Sequence, residues 1–186
     1  LDEYTPWLEA QVEESVQVHE AVRQQLPTVL EVAETLVETF RDGGHVFFFG
    51  NGGSAADAQH WAAELSGRFY QDRAPLPAVA LTTNSSAVTA IANDDGYDEG
   101  VVRQLAGQAE AGDGAVGSCQ SGNSGKVVRS LRYGQDHGLV TAGFTGEGDG
   151  DMDRFCKHRV NIPSDDVARI QEGHLLCGHL LCAVVE

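Results

Sequence analysis

From residue 45 onward the chain alternates short, unbroken apolar runs, at 45–49, 77–81, 115–118, 139–144 and 159–162, with stretches of helical spacing. A strand wetted on one face alternates apolar and polar side chains, whereas a run that is apolar throughout needs cover on both faces. Such strands belong inside parallel sheets, and the helices of the crossover connections provide the cover. Candidate helices lie at 54–66, 85–91, 124–136 and 152–155, with a long last one at 166–185. This pattern predicts a doubly wound α/β domain on a parallel five-stranded sheet.

Ahead of the sheet, residues 7–26 place Leu8, Val12, Val16, His19 and Val22 at helical spacing. Pro27 and Thr28 then open a second helix, with Val29, Leu30, Ala33, Leu36, Val37 and Phe40 as its apolar stripe and Asp42-Gly43-Gly44 as its stop. Residues 1–44 therefore read as a helical hairpin on an α/β core of residues 45–186, one domain in all. Glu13, Glu14, Glu31, Glu34 and Glu38 are its solvated faces.

Charge narrows the classes of partner. Twelve Lys and Arg against 28 Asp and Glu leave a formal −16, with no basic run, which argues against nucleic acid or an anionic membrane as the main partner. No stretch approaches the roughly 20 apolar residues of a membrane span. The acidic beginning lacks the basic and apolar regions of a signal peptide, so a cytoplasmic protein is expected. Cys119, Cys156, Cys177 and Cys182 fit no metal or disulfide framework and read as reduced, buried filler.

Glycine is the compositional outlier, at 22 of 186 residues, and it gathers where strands end. The first strand runs into Gly50-Asn51-Gly52-Gly53-Ser54 and a helix, so backbone N–H groups can approach a ligand where the helix dipole favours negative charge. Neither GxGxxG nor GxxxxGKS is present. The third strand repeats the arrangement with Cys119-Gln120-Ser121-Gly122-Asn123-Ser124, where Ser121 and Ser124 add hydroxyls. Ser124 also fits as a plain helix cap. Two such loops at the carboxyl ends of strands in one open sheet mark its ligand crevice.

On the helix after the first loop, Asp57, His60 and Glu64 fall within about 60° of one another, a spacing that suits a cation held by His and Glu, with a carboxylate nearby to orient the imidazole. The last helix is apolar almost all round, which makes Gln171, Glu172, His174 and His179 costly unless paired or working. Spacing alone selects Glu172 as the partner of His179, because the two are seven residues apart, while Gln171 lies about 80° away. His174 reads as a satisfied buried histidine.

Taken together, Gly50-Asn51-Gly52-Gly53-Ser54-Ala55-Ala56-Asp57-Ala58-Gln59-His60, then Ala63-Glu64-Leu65-Ser66-Gly67-Arg68-Phe69, Asn93-Asp94, and Arg169-Ile170-Gln171-Glu172-Gly173-His174 through His179 closely resemble the bacterial phosphoheptose isomerases of the sugar isomerase (SIS) domain family. The resemblance extends from the N-terminal helices to the C-terminus. It implies a flavodoxin-like sheet, a homotetramer with active sites at subunit interfaces, and conversion of sedoheptulose 7-phosphate to D-glycero-D-manno-heptose 7-phosphate for surface-sugar precursors. It further implies one zinc ion per subunit on residues matching His60, Glu64, Gln171 and His179, with Glu64 and His179 as the acid/base pair. Asn51, Gly52, Gly53, Glu64, Asn93, Asp94, Cys119, Gln120, Ser121, Ser124 and Gln171 are the implied substrate contacts. Glutamine thus takes the place that spacing gave to Glu172. Glu64 and His179 cannot be permanent ligands and free bases at once, so either coordination loosens on substrate binding or the metal is organisational.

The family's phosphate loop usually reads Ser-Thr-Ser-Gly-Asn-Ser, and here its first two positions are Cys119 and Gln120. Loss of a hydroxyl donor should cost about 1 kcal/mol of phosphate binding unless compensated. Lys126, just inside the next helix, reads either as that compensation or as a solvated lysine. Two other classes fit the same fold: a non-catalytic SIS-domain protein that binds the replication initiator, and a sugar-phosphate-binding regulator. The first lacks the glutamate and second histidine that this chain keeps as Glu64 and His179.

Overall fold

The computed structural model describes residues 2–186. Five parallel strands, β1 (Val46–Phe49), β2 (Ala78–Ala80), β3 (Gly114–Ser118), β4 (Val140–Thr145) and β5 (His158–Asn161), lie in the order β2-β1-β3-β4-β5. The chain winds outward from β1 toward β2 and from β3 toward β5, so the winding reverses between β1 and β3. That reversal opens a crevice beyond their carboxyl ends. The helices are α1 (Thr5–Ala21), α2 (Leu26–Arg41), α3 (Gly53–Ser66), α4 (Ser85–Asp94), α5 (Val102–Gln108), α6 (Gly125–Asp136) and α7 (Val167–Val185).

Covering both faces of β1 uses its period-2 alternation. Val46 and Phe48 join the core under α2, α3 and α7, while Phe47 and Phe49 join the core under α5 and α6. In the first core Trp61 of α3 is fully buried, with Phe144 at 4.9 Å and Phe48 edge-on at 6.0 Å between ring centroids. Its indole lies directly on Gly178 of α7, where any Cβ would overlap the ring.

Four local expectations change. The first is the N-terminal hairpin: residues 22–25 form a 3-10 turn and the flanking caps keep right-handed helical angles, so α1 and α2 make a bent rod, and each packs on α7. The junction holds no glycine to reverse the chain, and Pro27 fits the first turn of α2. Secondly, α1 turns Ser15 and Val18 inward and leaves Leu8, Val12 and Val16 of the expected stripe at 54%, 66% and 51% exposure, while its last member, Val22 in the 3-10 turn, is buried as expected. Finally, residues 151–155 form a 3-10 helix, and α5 appears where periodicity gave no helix, because Gly107 interrupts it and only Leu105 is buried. The glutamates of α1 and α2 are exposed as expected, and all four cysteines are free, with Cys119, Cys177 and Cys182 buried and Cys156 half-buried.

A Gly178→Ala substitution should destabilise the chain by about 1–3 kcal/mol, the usual cost of overpacking a filled core. Denaturant unfolding of the two chains measures it.

Candidate functional site

The two glycine-rich loops meet across the crevice. Gly52 (φ 53°) and Gly122 (φ 67°) occupy the left-handed region that side chains avoid, which lets each loop turn back within a few residues. Ser124 occupies the N-cap position of α6, yet its hydroxyl makes no cap bond. Instead it accepts from Asn51 Nδ2 at 2.8 Å, so one loop holds the other. Tyr97 donates its hydroxyl to Asn51 Oδ1 at 3.0 Å and accepts from Lys126 Nζ at 3.2 Å. Sequence reasoning missed Tyr97, and no periodicity marked it beyond its position three residues after Asp94. Lys126 is 3% exposed, so the solvated reading of that lysine is corrected. In the second loop Cys119 Sγ lies 3.4 Å from Ser121 Oγ, and the Gln120 carbonyl accepts from the N–H of Gly146.

About two turns into α3 the polar stripe meets α7. His60 Nε2 and His179 Nε2 face each other at 2.9 Å, and Glu64 Oε1 is 3.2 Å from His60 Nε2. One ligand atom from each of the three lies within 4.8 Å of the others. Two imidazole nitrogens and a carboxylate oxygen are a donor set that suits zinc in a site with a further position to fill. Phe69 stacks on the His179 ring at 5.5 Å and 14°, giving the cluster an apolar wall. The other side is open, with the His60 side chain 44% exposed.

Gln171 and Glu172 differ in what each touches. Glu172 accepts from Arg169 Nη2 at 2.6 Å and from Ser15 Oγ at 2.8 Å, while Arg169 Nη1 donates to the Gln11 carbonyl at 2.7 Å. Its carboxylate therefore fastens α7 to α1 and is not a partner of His179. Gln171 instead lays its carboxamide against Gly53 at the start of α3. Wheel angles overlooked the buried arginine, which claims the nearer carboxylate.

Not every candidate gathers here. Asn93 and Asp94 bond to each other, Nδ2 to Oδ1 at 2.8 Å, on the exposed end of α4, a helix with no buried residue. Asp57 is half-buried with Oδ2 unpartnered, and burial pushes its carboxyl up to about 6. It makes no hydrogen bond to His60, so it does not orient that ring as its spacing suggested.

His174 is the satisfied buried histidine that the sequence implies. Its Nε2–H donates to the Thr145 carbonyl at 3.0 Å, and Nδ1 is left to accept from the Ser118 hydroxyl at 3.1 Å. Burial lowers its pKa to about 4.

A model of the SIS domain matches residues 11–146 of the chain. A phosphoheptose isomerase of Roseiflexus is 42% identical over 186 residues, covering 100% of this chain and 94% of that protein. Among solved structures, a phosphoheptose isomerase from Neisseria gonorrhoeae superposes with TM-score 0.91 at 34% identity, covering 97% of each chain. Another, from Francisella tularensis, gives TM-score 0.93 at 28% identity over 97% of this chain and 96% of that one.

Because His174 is neutral in the fold and protonates near 6.5 when unfolded, its contribution is complete above about pH 6.5 and is lost as pH falls toward 4. A His174→Asn chain should start less stable at pH 8 and lose less over that window. Denaturant unfolding at pH 8, 6 and 4 reads the narrowing gap.

Proposed function

Because the chain belongs to the phosphoheptose isomerases of the SIS-domain family, we propose that it converts sedoheptulose 7-phosphate to D-glycero-D-manno-heptose 7-phosphate in the crevice between its two loops. It is an aldose–ketose isomerase. The observation that carries the proposed site is the convergence of His60, Glu64 and His179 beside loops suited to an anion.

The reaction removes a proton from C1 of the ketose, passes through an enediolate and returns a proton at C2. Glu64 is the carboxylate that takes and returns the carbon-bound proton. Its place on α3, one turn after His60, fixes it against the same substrate edge. His179 serves the oxygens, exchanging a proton with the hydroxyl and carbonyl as charge moves between them, and the stacked Phe69 ring holds its plane. Zinc held by His60, Glu64 and His179, with Gln171 from the same helix, would polarise the carbonyl and favour the enediolate oxygen. The phosphate lies at the N-terminus of α6, where backbone N–H groups and the Ser121 and Ser124 hydroxyls receive it without a cluster of lysines. Asn51, Gly52 and Gly53 line the opposite loop, whereas Asn93 and Asp94, bonded to each other on the exposed end of α4, lie apart from it.

An exposed His60 and a base working on a carbon acid are poorly matched to bulk water, which argues for a further wall. The apolar stripe of Leu8, Val12 and Val16, together with the uncovered α4, suits a homotetramer in which a second copy supplies it. No helix among the described residues is long and apolar enough to cross a membrane. Work in the cytoplasm on precursors of a surface polysaccharide fits this reading.

Glu64→Gln and His179→Ala should each lower kcat on sedoheptulose 7-phosphate by at least about 100-fold, the scale of a lost acid/base group, with the fold retained. Near-parental rates would overturn the assignment. Chelation should lower the melting temperature and added zinc restore it if the ion is resident.

A further inference from the structure

The chain has two lysines, and one of them, Lys126, is buried at 3% exposure in a protein of net charge −16. An ammonium removed from water needs a compensating charge or a full set of acceptors. Among the described residues no carboxylate lies within ion-pair distance of it, and its partners are the Tyr97 hydroxyl at 3.2 Å and the Tyr97 ring at 4.6 Å. Asp98, the nearest acid by sequence to that tyrosine, rests against Gly125 without pairing with the ammonium, and Glu99 pairs with Arg129. Lys126 is also the second residue of α6, the positive end of the helix, where a cation is disfavoured. Two positive features therefore share one place behind the 119–124 loop, and a bound anion would answer both.

The hydrogen bonds give this charge a route to the loop. Lys126 donates to Tyr97, Tyr97 donates to Asn51, and Asn51 donates to Ser124. Ser124 Oγ is thus an acceptor within the protein, which leaves its own proton free for a ligand. Each bond polarises the next, so the ammonium strengthens the last hydroxyl as a donor.

We propose that Lys126 is the fixed positive charge of the phosphate subsite, a positioning residue that acts on the phosphosugar through space and through the Tyr97–Asn51–Ser124 chain. The proposal rests on the isomerase reading above and deepens it. It also gives Lys126 the compensating role for Cys119 and Gln120, where the family's pattern has hydroxyls.

Lys126→Met tests it, with steady-state kinetics on sedoheptulose 7-phosphate and calorimetric titration with inorganic phosphate. The expected result is a KM about tenfold higher and phosphate binding weakened in proportion, with kcat within about twofold and Lys126→Arg recovering most of the loss. KM of the parent should also rise with ionic strength more steeply than that of the Met chain. Should Met not fold, Lys126→Gln reads the same loss. Unchanged KM and phosphate affinity in a folded neutral variant would overturn the proposal. Phosphate binding that depends on Lys126, in a parent that does not isomerise the sugar, would uphold the subsite and overturn the isomerase reading instead.

Discussion

The contact between Trp61 and Gly178 is what the site depends on. His60 precedes the indole on α3, and His179 follows the glycine on α7, so the closeness of the two helices is handed directly to the two imidazoles. Only a residue without a side chain lets the ring lie on the helix backbone. A gap of one methyl group between the helices would be small for the core and large for two nitrogens held at 2.9 Å. Core packing and site geometry are here the same measurement.

The sheet contributes the second constraint. Reversal of winding between β1 and β3 sets two strand ends side by side, and each ends in a loop that turns on a glycine. On the proposed reading the anion is received by backbone and hydroxyl groups, a solution that suits an acidic chain because it gathers no surface cations. Asn51 and Ser124 close the arrangement by bonding one loop to the other. The α3 helix then connects the halves, since it begins in the first loop and carries His60 and Glu64 about two and three turns later.

Much of this was legible in the sequence because it rests on local pattern. Unbroken apolar runs gave five strands to within a residue or so at each end, and glycine placement gave both loops. What was not legible depended on which side chain competes for which partner. Glu172 has the better angle to His179 but lies beside Arg169, and a buried guanidinium next to a carboxylate outweighs a wheel projection. Leu8, Val12 and Val16 of the α1 stripe have ideal spacing yet face outward, because Ser15, bonded to Glu172 of α7, and the buried Val18 take the inner side. Lys126 looked like any lysine on a helix until Tyr97, 29 residues earlier, closed over it.

The fastening of α7 to α1 has one more consequence. Arg169 and Glu172 grip α1 through Gln11 and Ser15, and His179 lies ten residues after Arg169 on the same unbroken helix, about 15 Å along its axis. An α-helix transmits translation and rotation over that length with little loss. The seating of the N-terminal rod and the gap between the imidazoles are therefore one mechanical coordinate, and whatever grips the rod from outside also sets the gauge of the proposed site.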